Sequence, residues 1–218
     1  RTIGRNPLAP AWRRRADSVM TIETGRIGVR HAEAADADAL ARAHVTAWRV
    51  AYRDVIPDEV LDSPALAAAR RTGWRRRFVD GGGFPPPGYD DENELFTGLL
   101  DGRVVGFGHV GREWNESGEP EREAAGELYG FYVHPDAWGS GVADALMDRC
   151  EASLRRRFGT ASLWVLRDNP RARRFYERHG WSCGVGEALE EALWPGPQME
   201  GMPPLPEPLV EVRYRVVL

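Results

Sequence analysis

The sequence predicts an α/β fold built on a mixed sheet, and three observations predict it. The stretch Val133 to Ala143, VHPDAWGSGVA, joins an apolar run, Leu128 to Val133, to a helical face of Val142, Leu146, Cys150 and Leu154. It reads as strand, tight glycine turn, helix start. Asp101-Gly102 separates two apolar runs, Leu95 to Leu100 and Arg103 to Val110, which is a strong hairpin signal. The order of patterns along the chain is β-α-α-β-β-β-α-β-α-β-β. Hairpins early, a βαβ unit in the middle and a hairpin late describe a mixed sheet with helices on it.

Each element has its own warrant. Residues 1–20 read as a flexible tail, with Arg13, Arg14 and Arg15 solvated, and 21–218 as a single domain. Ile27 to Arg30 is a short strand. Asp36 or Asp38 is the N-cap of a helix whose face carries Leu40, Ala43, Ala47, Trp48, Ala51 and Val55. Pro57 ends that helix or begins the next. Val60, Leu61 and Leu66 through Phe78 support a second helical region, broken near Pro64. Its arginines, Arg70, Arg71, Arg75, Arg76 and Arg77, read as a solvated face.

Residues 81–94 form a loop insertion by composition. The stretch REWNESGEPEREAAGE is an acidic connection to the strand that ends at Val133. The helix after Gly139 runs to about Arg157, where arginines meet its C-terminal dipole. Ala161 to Leu166 is a strand. Pro170 opens a helix with Ala172, Phe175 and Tyr176 that Gly180 stops. Trp181 to Val185 reads as a strand, residues 195–208 as a proline-rich loop insertion, and Leu209 to Leu218 as a closing strand.

Composition excludes several classes. A formal net charge of −4 argues against a general nucleic-acid binder. No apolar run is long enough to span a bilayer, and the first twenty residues lack the apolar core of a secretory signal. Two cysteines, Cys150 and Cys183, make neither a disulfide framework nor a four-ligand metal site. Cys150 lies on an apolar helix face and reads as a buried structural thiol. A reducing cytoplasm is the expected compartment.

The glycine turn carries the first functional signal. A helix start leaves its first N–H groups unpaired and partly positive. Gly139 and Gly141 have no side chains to keep an anion from that backbone, so a phosphate cradle is expected. A Walker loop does not fit, because the chain has no lysine. A dinucleotide fingerprint does not fit either, because Asp144 stands where its third glycine belongs. The stretch resembles the pyrophosphate loop of the GNAT superfamily of N-acetyltransferases, Q/R-x-x-G-x-G/A, over Trp138-Gly139-Ser140-Gly141-Val142-Ala143, with Trp138 in place of Gln or Arg. A second resemblance lies in DNPRARRFYERHGW, with Asn169, Phe175-Tyr176 and Gly180-Trp181 in the family's order. HVTAWRVAYRDVIPDEVLD also looks like a subset of that family. The resemblance covers residues from about 27 onward and implies a mostly antiparallel sheet around a βαβ acyl-CoA-binding core.

Transfer from a thioester to an amine needs a deprotonated amine, a stabilised carbonyl oxygen and a protonated leaving thiolate. The resemblance implies Tyr176 as the acid and Glu127 as the base acting through water, with His134 as a rival base. His44, His109 and His179 read as surface or packing residues. The resemblance further implies that the backbone of Phe131, Tyr132 and Val133 pairs with the pantetheine arm. Gly139, Ser140, Gly141, Val142 and Ala143, beside Trp138, would hold the pyrophosphate, and Asn169 would bond the pantetheine. Arg171, Arg173 and Arg174 either meet the nucleotide phosphate or form a solvated face. The acceptor site is expected between the first helices and the last hairpin, with Trp48, Tyr52 and Trp194 as candidate walls. Glu190, Glu191 and Glu200 are candidate attractors of a cation.

The expected function is therefore an acetyl-CoA-dependent N-acetyltransferase. Acetyl-CoA is its co-substrate, no metal is needed, and the acceptor is a small-molecule or peptide amine. Nucleic acid and membrane are not expected partners, and a homodimer stays open. The alternatives are an acyl-CoA-binding sensor without efficient transfer and a nucleotide-binding regulator that shares the glycine loop.

Overall fold

The structure is a computed structural model, and it describes residues 26–80, 93–114, 125–183, 190–196 and 204–218. Its elements in chain order are β1 (Ile27–His31), α1 (Ala37–Ala51), α2 (Asp58–Leu61), α3 (Pro64–Asp80), β2 (Glu94–Leu100), β3 (Arg103–Arg112), β4 (Ala125–Val133), α4 (Val142–Arg155), β5 (Thr160–Leu166), α5 (Pro170–Arg178), β6 (Glu191–Trp194) and β7 (Leu209–Val217). The strands form one sheet in the order β1-β2-β3-β4-β5-β7-β6. Every pairing is antiparallel except β4 with β5. That parallel pair is joined through α4, as a βαβ crossover requires.

Helices cover both faces. On one face, Val142, Leu146, Cys150 and Leu154 of α4 are fully buried against Phe96, Val110, Leu128, Leu163 and Tyr214. The predicted helix periodicity and the buried thiol are both observed, and burial pushes the Cys150 thiol up, which leaves it inert. On the other face, Leu40, Trp74 and Phe78 pack on Phe107. Beside them Trp48, Ile56, Leu61 and Leu66 pack with Tyr132 and Trp194.

Several local expectations need correction. Asp36 occupies the N-cap position of α1 but does not cap it with its side chain. Its carboxylate instead accepts bonds from Arg30 at 2.6 and 2.8 Å and from the Glu33 N–H at 2.8 Å, closing a short 3-10 turn ahead of the helix. The arginines of α3 are not one solvated face. Arg70 lies 4.5 Å over the Trp48 ring, and Arg77 donates to His109 Nε2 at 2.8 Å. Burial lowers both guanidinium pKa values, Arg77 to about 10. Arg75 pairs with Asp38 at the surface, and Arg71 and Arg76 are exposed. The reason is spacing: Leu66, Arg70, Trp74 and Arg77 recur along one helical stripe.

Strand β4 begins at Ala125, three residues before the apolar run that predicts it. No strand forms over Trp181 to Cys183; Ser182 makes only an isolated bridge to Arg215, and 184–189 lie outside the described residues. The sixth strand is β6 instead, pairing Glu191–Trp194 with β7. The predicted tail 1–20, most of the loop 81–94, the connection 115–124, Glu200 and much of 195–208 also lie outside the described residues. Among the described residues no helix is long and apolar enough to cross a membrane.

Candidate functional site

The site begins where two central strands part. β4 pairs with β5 only through Ala125↔Thr160, Gly126↔Ala161 and Glu127↔Ser162. From Leu128 to Val133 it keeps its β3 ladder but has no β5 partner. The β3 register shifts between His109 and Val110, which oppose Gly130 and Leu128, so Tyr129 is an extra residue in β4. Such a bulge bends its strand. As a result Leu128 and Phe131 both face the α4 core, while Tyr132 faces α1. The β5-facing backbone groups of this run need partners from elsewhere. An extended ligand carrying amides supplies them by lying in the gap like a strand.

The turn at the top of β4 is built for an anion. Pro135 opens a 3-10 turn over Pro135–Ala137. Gly139 and Gly141 hold φ of 74° and 91°, a region that glycine enters without strain. An added Cβ at Gly139 would meet nothing within 4 Å, so its backbone stands open. Ser140 Oγ donates to the Ala137 carbonyl at 2.7 Å and accepts from Val142 N–H at 3.3 Å. The first helical bond of α4 is Ala145 N–H to Gly141 C=O at 3.1 Å, so Ala143 and Asp144 N–H precede the helical ladder. The five residues Gly139, Ser140, Gly141, Val142 and Ala143 are thus brought together at one helix start.

Trp138 does not occupy this turn idly. Its indole N–H donates to the Val133 carbonyl at 3.0 Å, and the Arg171 guanidinium lies 3.6 Å over its ring. Arg171 comes from the first turn of α5 and brings a positive charge beside the turn. Arg173 is committed to the Tyr214 hydroxyl at 2.9 Å, and Arg174 is exposed. Asn169 is 7% exposed, and its side-chain oxygen caps α5 by accepting from Ala172 N–H at 3.1 Å. That leaves its amide N–H groups as donors. A cleft of about 210 Å³ separates Asn169 and Trp138 from the end of α1 at Val50 and Ala51.

Three tyrosines meet where the strands separate. Tyr176 comes from α5 on one face of the sheet, and Tyr132 comes from β4 on the other. Burial first, and then the nearby Tyr132 and Cys150, push the Tyr176 phenol well above its ordinary value. Among the described residues its hydroxyl has no hydrogen-bond partner. Burial first, and then the nearby Tyr132 and Tyr176, hold the Tyr52 phenol well above its ordinary value, just past the end of α1. Trp48 lies edge-on to Tyr52 and to Trp194, with ring centroids 5.4 and 5.6 Å away, so the three expected walls share one site. Trp48 is also core, at 4% exposure.

Other candidates fall elsewhere. Glu127 stands at the foot of the gap, facing away from Gly126 and the α4 core, five residues below Tyr132. Phe131 stacks on Phe175, so only its backbone faces the gap. His134 turns into the 3-10 turn, where Nδ1 accepts from Asp136 N–H at 3.2 Å. His44 is buried among Trp48, Trp74, Phe107 and Tyr132, and burial drives its pKa well down. Burial, with Arg77 behind it, does the same to His109. His179 does have a carboxylate partner, Asp144, at 3.0 Å across α4 and α5. Glu190 is taken by Arg213 and Arg215, and Glu191 by Arg167. Glu211 is the residue sequence reasoning missed. It alternates with Val210 and Val212 and reads as a solvent position, yet burial raises its pKa to about 7. Its neighbours across the sheet, Leu166 of β5 and Ala192 of β6, come from distant parts of the chain, so no local pattern marked it.

Comparison with known proteins gives consistent results. The model of the acetyltransferase (GNAT) family matches residues 62–181. An uncharacterized N-acetyltransferase of Archaeoglobus fulgidus is 38% identical over 87 residues, 39% of this chain and 58% of the relative. The N-acetyltransferase MJ1207 of Methanocaldococcus jannaschii is 32% identical over 92 residues, 42% of this chain and 40% of the relative. The chain thus spans about half the length of these archaeal relatives. Among solved structures, the PaiA N-acetyltransferase of Thermoplasma acidophilum, in complex with coenzyme A, superposes with a TM-score of 0.61 at 14% identity, over 88% of this chain and 99% of that one.

Proposed function

The chain belongs to the acetyltransferase (GNAT) family, and from that premise we propose that it transfers an acetyl group from acetyl-CoA to a primary amine by direct attack in a ternary complex. The observation that carries the proposal is the gap between β4 and β5, open from Leu128 onward and ending at the glycine turn. Its extended backbone suits the amides of a pantetheine arm, and the turn suits a pyrophosphate at its end. Phe131, Tyr132 and Val133 supply the backbone, Gly139 to Ala143 the cradle, and Asn169 an amide donor. Arg171, stacked on Trp138, adds the positive charge beside the phosphates.

The ammonium loses a proton, through water, to Glu127. The amine nitrogen bonds to the thioester carbon, and a backbone N–H near Val133 stabilises the carbonyl oxygen as it gains charge. The carbonyl re-forms as the C–S bond breaks, the departing sulfur takes the Tyr176 phenolic proton, and the nitrogen gives up its surplus proton through water to the tyrosinate, leaving a neutral amide and a free thiol. A phenol raised above its ordinary value keeps that proton at neutral pH until a thiolate appears.

Calorimetric titration with acetyl-CoA, with ATP and NAD as controls, tests the cofactor half. Selective binding of acetyl-CoA is expected, followed by thiol release in an amine screen. Folded protein that binds ATP or NAD in preference to acetyl-CoA would be a nucleotide-binding regulator instead.

A further inference from the structure

We propose that Glu211 of β7 is the carboxylate that receives the ammonium group of the acceptor, which makes the preferred acceptor a primary alkylammonium rather than a neutral amine. The inference deepens the acetyl-transfer reading above and rests on it. Three observations lead to it.

The first is position. Val212 and Tyr214 of β7 point into the α4 core, and Arg213 points to the other face, over the Trp164 ring at 5.1 Å. Strand alternation puts Glu211 on that same face. It lies opposite Leu166, the last residue of β5, and Ala192 of β6. Leu209, two residues earlier on the same face, and its β6 partner Trp194 pack in the cluster of Trp48 that Tyr52 and Tyr132 join. Glu211 therefore lies next along the strand from the aromatic cluster that reaches Tyr132 on the gap strand.

The second is charge. The cations near Glu211 on the sheet are already committed. Arg213 and Arg215 hold Glu113 and Glu190, and Arg167 holds Glu191. Arg70, the guanidinium that faces Tyr52 and Tyr132 from α3, stacks on Trp48. Among the described residues no cation pairs with Glu211. A carboxylate taken from water without a counter-ion is costly to ionise, so it is complementary to a cation that arrives with the ligand.

The third is the wall. Trp48 packs edge-on against Tyr52 and Trp194. Its own face is taken by Arg70, so Tyr52 and Trp194 are the rings that would meet an alkylammonium and its apolar chain. Glu127, at the foot of the gap, keeps the proton-transfer role; Glu211 binds and orients.

The test uses the full chain and three probes: acetyl-CoA, phenethylamine, which is an ammonium at pH 7.5, and aniline, which is neutral there. In Glu211→Gln, acetyl-CoA affinity should match wild type. KM for phenethylamine should rise about 30-fold or more, the size expected for losing one buried charge partner. The aniline rate should move less than about threefold by the same measure. Glu211→Asp keeps the charge and should recover most of the phenethylamine affinity. Wild-type kcat/KM for phenethylamine should rise with pH through about 7 as Glu211 ionises, and Glu211→Gln should lack that rise. Tyr52, held well above the ordinary phenol value by burial, stays protonated over this range and does not contribute to it. An unchanged phenethylamine KM in Glu211→Gln, an equal loss for aniline, or wild-type protein that binds acetyl-CoA yet acetylates aniline alone or neither amine would overturn the assignment. Failure of wild type to bind acetyl-CoA would overturn the cofactor reading instead.

Discussion

Tyr176 shows how a side chain becomes a proton donor without a charged partner. It is 8% exposed, and burial opposes its ionisation before any neighbour does. The nearby Tyr132 and Cys150 push in the same direction. The outcome is a phenol that releases its proton only to a strong base formed beside it, which a thiolate is. Tyr176→Phe keeps the ring that packs with Trp181 and Tyr214, so folding and acetyl-CoA affinity should hold. Its kcat should fall by about 10²–10⁴-fold, the usual worth of a general acid; stopped-flow or steady-state thiol release would check it, and an undiminished rate would remove the hydroxyl from the chemistry. The sequence points to Tyr176 through its neighbours, since Phe175-Tyr176 follows a capped helix start at Asn169-Pro170. Arg70 and Arg77 show the opposite. Counting charges assigns them to solvent, whereas their four- and three-residue offsets from Leu66 and Trp74 put them on the buried stripe.

Among elements, the turn from β4 to α4 was the most legible. Gly139, Gly141 and the apolar face of α4 are local signals, and the positive φ angles satisfy a need that glycine alone meets cheaply. Gly141→Asp meets two obstacles at once. An L side chain at φ 91° is strained, and a Cβ there comes within 3.3 Å of Ile27 Cδ1. A carboxylate beside the expected pyrophosphate adds repulsion. Acetyl-CoA affinity should drop by about tenfold or more, with ~1 kcal/mol or more lost from stability. Titration and urea denaturation read the two separately, and equal affinity would move the cradle elsewhere. β6 was the least legible element. Glu191-Ala192-Leu193-Trp194 has little strand character, and it is a strand because β7 offers an edge to pair with. The separation of β4 from β5 was invisible for a similar reason. It depends on a register slip opposite His109 and Val110, and no composition encodes register.

At the scale of the molecule, a buried ionic network ties distant parts of the chain. Glu113 has no exposure and lies among Arg213, Arg215 and Ser162, and Glu190 engages the same two arginines. The contacts bring together the end of β3, the start of β5, the approach to β6 and the middle of β7. Glu113→Leu would leave Arg213 buried beside a single, partly exposed carboxylate. Breaking such a pair costs about 3–5 kcal/mol, so the urea midpoint should fall steeply. A midpoint within the error of wild type would mean that Glu190 alone suffices.

The parting of β4 from β5 has a mechanical consequence. β1 to β4 form one panel, and β5, β7 and β6 form another. In the sheet plane only three residue pairs hinge the two panels together. A molecule lodged in the gap bonds to both and acts as a clasp. It favours every arrangement in which the panels are aligned over any in which they have swung apart. Its binding free energy is then shared with the cohesion of the whole sheet, so occupancy and foldedness rise together.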